Sequence, residues 1–439
     1  METLLSIFWL LVLLGVMILV HELGHFWAAR YFDVRVETFS FGFGPRIFGF
    51  RRGDTDFRFS AILFGGYVKM AGEQPSDENV NDPRGFLAKP RWQRLIIAFA
   101  GPFMNVVLSV ALLTGLYVFK FPKPVGRDLA GRIGHVFPDT PAAKAGVREG
   151  DRIVRFGDLR NPNWEQIVLK ELESGNQPVP VTLERGGRRI DASVTPMVNE
   201  RSGLGFAGWA EQTDILIGAL SAGLPAEKAG LKTGDQILNI NGYPIRSSYT
   251  LHQVIRASAG KPIEIEYVRD GRAAKVTVQP VFSSIDGPQR WMIGVGPEPR
   301  RVYLRLSPIA ALSASLRQNV ESAGLIYRFL RGLVERRMSP KSIDGPIGIA
   351  RLSGAAAREG PSTFINLMAA VSLNLAIVNL LPIPVLDGGV ILLLLVEMFI
   401  RRDLSLRVKE AVFKLGFAFL LALMAFVLYN DITKILPSG

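Results

Sequence analysis

Four long apolar runs stand out along the chain, and polar, turn-rich stretches separate them. From Leu4 to about Ala29 the residues are apolar, with no ionisable side chain between Thr3 and Val20. About 20 such residues cross a bilayer core, so a first spanning helix is expected here. A second run extends from Arg94 to about Phe121, a third from Phe364 to about Ile400, and a fourth from about Val412 to Tyr429. The third is broken by Pro382 and Pro384, which cannot continue a helix; the chain is expected to open there and to restart at Gly388. Between the first two runs, Thr38–Pro45 is interrupted by Gly and Pro, Phe57–Ala61 alternates, and Gly65-Gly66 precedes Tyr67–Met70. These features predict hairpins that dip toward the membrane or lie at its surface. Irregular backbone at membrane depth must be buried in protein or line a wet cavity.

From about 123 to 300 the pattern changes to short strands and turns, and it repeats. Pro141-Ala142-Ala143-Lys144-Ala145-Gly146 through Gly150-Asp151-Arg152-Ile153 recurs as Pro225-Ala226-Glu227-Lys228-Ala229-Gly230 through Gly234-Asp235-Gln236-Ile237. The register persists to Arg185 and Arg269, Gly187 and Gly271, and Pro196 and Pro280. Two tandem domains of one fold follow, each with a short glycine-capped helix turning into a strand. The pattern resembles PDZ domains of the bacterial protease type. Ser202–Phe206 and Trp291–Gly296 then look like the loop and strand that receive an extended peptide. A size filter that binds no peptide is the other reading of these domains. Pro308 to Arg337 sets Leu312, Leu316, Val320, Leu325 and Leu330 against Arg317, Arg328, Arg331, Arg336 and Arg337. This amphipathic helix suits a membrane surface or packing against the second PDZ-like domain. Asp344–Ile349 reads as a turn toward the third span.

Composition narrows the class. At 439 residues several units are expected, and 48% hydrophobic with 21% charged residues points to spans joined to a polar module. There is no cysteine, which removes disulfides, thiolate zinc sites and thiol catalysis. The net charge of +12 tracks membrane-flanking loops, and no nucleic-acid motif is present. Basic residues crowd 30–94 and return at Arg401, Arg402, Arg407 and Lys409, whereas none precedes the first run. The positive-inside rule then places both loops in the cytoplasm and the amino terminus and repeat domains outside. The first run lacks a preceding basic residue and a cleavage-site pattern, so it is read as a retained helix and not as a signal peptide.

The first span ends in His21-Glu22-Leu23-Gly24-His25. Histidines four apart share one helix face and can hold one metal ion, with Glu22 beside them as general base. Ionisable groups at membrane depth are costly and mark function. A catalytic zinc takes three protein ligands and leaves one position open. His135 and His252 lie in the repeat domains, so the third ligand falls by elimination to Asp387, the only acid between Glu359 and Glu397. Asp387 could also serve as N-cap of the restarting helix. Zinc suits this donor set, though other divalent ions fit similar ligands. The expected chemistry is attack of activated water on a peptide carbonyl, with Glu22 moving the proton. A substrate helix must unwind to be cut; Asn374, Asn379 and the hairpin edge near 57–70 are suited to take up its freed backbone groups. Asn105, a polar residue in the second run, reads as interhelical hydrogen bonding or as a contact with the site.

Together, His21–His25, Phe64-Gly65-Gly66-Tyr67-Val68-Lys69-Met70, Gly101-Pro102-Phe103-Met104-Asn105, the paired repeats and Asn379–Gly389 resemble the site-2 protease family of intramembrane zinc metalloproteases, in its two-PDZ bacterial branch. The likeness covers essentially the whole chain. It implies a polytopic α-helical inner-membrane protein with four transmembrane helices, cytoplasmic-side β-hairpins and two tandem periplasmic PDZ-like α+β domains. It also implies cleavage of single-span membrane proteins, namely an anti-sigma factor after prior trimming and remnant signal peptides. The hairpin, with Phe64, Gly65 and Gly66, would present substrate as an added strand. Val390 departs from the branch, where histidine often follows Asp-Gly-Gly. The expected domains are 1–122, 123–208, 209–300, 301–360 and 361–439. Two other classes compete: a catalytically idle PDZ scaffold, which has no need of Glu22, and a zinc transporter, which would spread its ionisable residues along a path.

Overall fold

The computed structural model describes residues 2–73, 82–119, 121–124, 131–199, 204–284, 289–335 and 338–435. Ser202-Gly203 and Arg336-Arg337 therefore lie outside the described residues. Helix α1 (Glu2–Tyr31) leads into strands β1 (Val36–Arg52) and β2 (Thr55–Met70), then α2 (Arg91–Phe119). The repeat region contributes α3 (Pro141–Lys144), α4 (Trp164–Glu173), α5 (Pro225–Lys228) and α6 (Ser248–Ala257). Then come α7 (Pro308–Val334), α8 (Pro346–Glu359), α9 (Pro361–Asn379), α10 (Asp387–Ile400) and α11 (Leu406–Ile435). Two compact units result: residues 1–121, 304–330 and 343–439, and residues 122–303 with 331–342.

In the first unit, α1, α2, α9 and α11 are long and apolar enough to cross a membrane. The expected third run is split as its prolines require: α9 stops at Asn379 and α10 starts at Asp387. Strands β1 and β2 are so strongly kinked that one stretch pairs twice. Phe39, for example, faces both Phe57 and Val68. Two strands thereby make a curled sheet of four segments, and Val34, Val36, Phe39, Val68 and Met70 pack its inner face against Ala29 and Ile97.

One expectation needs correction. Asp344–Ile349 is not a simple turn, because Pro346 opens α8, a helix absent from the hydropathy pattern. Its first N–H groups are taken up by a distant carboxylate: Gly345, Ile347 and Gly348 all donate to Asp431 of α11. Helix α7 packs on α2 through its polar side. Its Ser315 and Asn319 are buried against α2, where Ser315 Oγ donates to the Val110 carbonyl and Ser109 Oγ donates to Asn319 Oδ1. Leu312, Leu316 and Val320 point outward instead. The apolar side is thus left free, as an amphipathic helix lying on a membrane surface requires.

The second unit holds two modules of matching construction. The first closes on Ile133, Ile153, Phe156, Ile167 and Leu183, the second on Ile217, Ile237, Ile240, Leu251 and Ile265. The repeated Gly-Asp and the matching arginines have one physical basis. Asp151 and Asp235 are buried, and each accepts two hydrogen bonds from its arginine, Arg185 or Arg269. The same guanidinium donates to the carbonyl of Gly146 or Gly230, the left-handed glycine that ends each short helix.

The first module carries a carboxylate with no counter-ion among the described residues. Glu171 of α4 is buried and accepts N–H bonds from Ala207 and from the Trp209 indole. Burial pushes it from 4.5 up to about 7, and the two donors offset only part of that cost. A carboxyl whose folded pKa is raised stabilises the fold fully below its unfolded pKa and loses that contribution as pH rises through the folded value. Between about 4.5 and about 7 the first module should therefore lose stability, by something on the order of 3 kcal/mol. Glu171→Gln should flatten the dependence. Amide hydrogen exchange in the full-length protein, corrected for intrinsic rates, would measure it; a pH-independent native module would contradict the assignment.

Candidate metal centre

Three elements build the site. Near its end, α1 supplies His21, Glu22 and His25; α10 supplies Asp387 at its first position; α2 passes across the two imidazoles. At Gly101 of α2 a Cβ atom would stand 2.3 Å from His25 Nε2 and 2.8 Å from His21 Nε2, so no side chain is admissible there. Gly24 of α1 gives the reciprocal clearance, as its Cβ would meet the Ala100 carbonyl oxygen at 2.3 Å. Pro102 removes one N–H from α2, and one residue before the carbonyl left unpaired by it, that of Ile97 accepts from His25 Nδ1 at 2.8 Å. That bond leaves His25 Nε2 bare and aimed at the site.

The stretch before Asp387 folds back tightly. Gly388 would carry a Cβ only 2.2 Å from the Leu381 carbonyl oxygen, and Gly389 one only 2.4 Å from that of Ile383. This is the reason two glycines follow the aspartate. Val385 holds a φ of 83°, a left-handed conformation that a β-branched residue adopts at a cost of about 1–3 kcal/mol. The cap of α10 is Leu386 and not Asp387, and no side chain caps the helix. The N-cap alternative for Asp387 is thereby set aside, because its carboxylate is turned to the histidines.

His21 Nε2 lies 3.1 Å from Asp387 Oδ2, His25 Nε2 lies 3.4 Å from Asp387 Oδ1, and the two Nε2 atoms are 3.2 Å apart. Metal–ligand bonds of about 2.0 Å in a tetrahedron give ligand–ligand edges of about 3.3 Å. The nitrogen–nitrogen separation and each nitrogen's distance to its nearer carboxylate oxygen are of that size. Imidazole and carboxylate are also donors that suit zinc. Among the described residues, His21, His25 and Asp387 are the only group of three or more metal-binding side chains.

The triad and Glu22 line a cavity of about 710 Å³, together with Tyr67, Val68 and Asn379. Gly66 of β2 is close enough to α1 that a Cβ there would touch Glu22 Cγ at 3.3 Å. The remaining expected residues are not all gathered. Asn374 is exposed and does not line the cavity. It stands five positions before Asn379, about 140° around a helix, so the two amides point to different sides. Gly65 adopts a φ of 128° and backs onto the Phe43 ring, away from the cavity lining. Phe64 has its backbone in β2, and its side chain is outside the described set. His135 belongs to the other unit and binds Glu149. Gly101 and Ile97 were missed as site residues; the signal available was the pairing of Gly24 with Gly101-Pro102.

The model of the peptidase family M50 matches residues 9–423. The chain is 30% identical to the regulator of sigma E protease of Salmonella typhi, over 98% of this chain and 100% of that one. It is 28% identical to the regulator of sigma-E protease RseP of Escherichia coli K12, over 97% and 98%. A PDZ domain of Listeria monocytogenes aligns with 20% of this chain and 90% of its own length, at 20% identity and a TM-score of 0.18. On the family match and these full-length relatives, the chain belongs to peptidase family M50, the site-2 proteases, and is a zinc metalloprotease.

Proposed function

We propose that this chain cuts peptide bonds within or beside the membrane segment of single-span proteins, using a zinc ion held by His21, His25 and Asp387. The observation that carries the reading is the convergence of the His21 and His25 Nε2 atoms and the Asp387 carboxylate at one end of an apolar helix, with one donor atom from each within 4.8 Å of the others. Zinc in such a site acidifies water and polarises a carbonyl. Glu22, on the wall of the same cavity, takes the proton of the attacking water and returns it to the leaving amine. Asn379 shares that cavity and offers an amide to the backbone of an unwound substrate. The segment of β2 around Gly66 approaches Glu22 and supplies a strand beside which an extended segment can lie. Asn374 lies outside that cavity lining.

Substrates in this reading are anti-sigma factors after prior trimming and remnant signal peptides, in line with relatives named as regulators of sigma E. The basic stretches at 30–94 and 401–409 support a cytoplasmic placement of those loops in the inner membrane. The termini and residues 123–208 and 209–300 then face the periplasm. These last two segments act as PDZ-like modules that bind extended peptide or restrict which substrates approach. The idle scaffold and the transporter are both displaced by the family's peptidase identity.

Purified protein should cleave a model single-span substrate, and a chelator should stop it. Glu22→Gln should lower turnover by roughly 10²–10⁴-fold while metal analysis still finds one zinc per chain; unchanged turnover would remove Glu22 from the mechanism. Asp387→Ala should lose the metal as well as the activity. Asn379→Leu should slow cleavage at full zinc content, and loss of zinc with it would contradict a substrate-clamping role.

A further inference from the structure

We propose that Asn105 is a positioning residue of the metal centre: its side-chain oxygen accepts the Nδ1 proton of His21 and so keeps Nε2 bare for the ion. Asn105 is fully buried on α2, and its amide nitrogen stands 3.2 Å from His21 Nδ1. Its Oδ1 has no hydrogen-bond partner among the described residues, although it is shielded from solvent. Buried polar atoms of this kind are rare and call for a reason. With the amide nitrogen donating, Nδ1 of His21 would be the acceptor and the ring proton would sit on Nε2, where no metal could then bind. A half-turn of the amide exchanges its oxygen and nitrogen without moving the rest of the side chain. The oxygen then meets Nδ1–H, and Nε2 keeps its lone pair for the ion.

Helix α2 thus handles both histidines from one face. Ile97, Gly101 and Asn105 recur every four residues. The Ile97 carbonyl fixes His25, Gly101 leaves room for both rings, and Asn105 fixes His21. The Asn105 carbonyl in turn accepts from Ser372 Oγ at 2.9 Å, which ties this turn of α2 to α9.

The inference rests on His21 being a zinc ligand, and zinc affinity tests the two separately. Competition with a chromophoric chelator would be followed in the purified full-length protein for native, Asn105→Leu, Asn105→Asp and His21→Ala forms. Asn105→Leu, similar in size but without an acceptor, should weaken zinc binding by roughly 10–100-fold. Asn105→Asp keeps an acceptor and should hold zinc within a few-fold of native. Native affinity in Asn105→Leu, or equal loss in both Asn105 variants, would overturn the positioning role. Should Asn105→Leu fail to fold, Asn105→Asp decides alone: retained affinity upholds the role and tenfold loss ends it. Native affinity in His21→Ala would instead sink the ligand assignment beneath it.

Discussion

Two imidazole nitrogens and a carboxylate oxygen pair are held just over 3 Å from one another, a concentration of donors that suits a shared cation. Much of the membrane unit is arranged to meet that constraint. Its devices are mostly absences of side chain. Gly24 and Gly101 let α1 and α2 cross closely enough to bring the rings against α2. Gly388 and Gly389 let the Pro382–Leu386 stretch fold onto the start of α10, and Gly416 of α11 accommodates Pro384 from the other side. An alanine at any of these five positions would meet backbone or ring atoms at 2.2 to 2.4 Å. Close packing around a fixed ligand geometry leaves no slack to absorb that.

The helices around this centre are joined by directional polar bonds and not by apolar burial alone. Ser372 binds α9 to α2, Ser315 and Asn319 bind α7 to α2, and Asp431 binds α11 to the start of α8. At the opposite end of α11, Lys409 reaches Glu397 of α10 at 2.6 Å, and the Leu404 amide donates to the same oxygen. Apolar residues gain little by leaving lipid for a helix interface, so small hydroxyl and amide side chains take over the work of specifying neighbours. In the other unit water restores the ordinary balance, and two isoleucine-rich cores with a buried Asp–Arg pair each hold the modules.

Hydropathy made the four spans legible, because a bilayer's thickness sets a length that only long apolar runs satisfy. It did not reveal α8, whose sequence has few strongly apolar positions and whose exposed N–H groups are paid for by Asp431 from far along the chain. In α7 it announced an amphipathic helix but not which residues meet the protein: the face that packs is the quieter one of Ala311, Ser315 and Asn319. Asn374 and Asn379 look alike in a one-dimensional reading, and only helical geometry separates them into outward and cavity-facing amides.

The amino-acid sequence by itself determined the candidate ligands and base, the breaks and the repeat: spacing of four on a helix, prolines that cannot continue one, and an internal match long enough to exclude accident. Tertiary structure decided how His21 and His25 meet Asp387, which asparagine reaches the cavity, and why Gly101 and Asn105 stand where they do. The division has a physical cause. Local rules act over a few residues, through dihedral angles and hydrogen-bond spacing, whereas a shared cation fixes distances between atoms that the chain brings together only after its helices have packed.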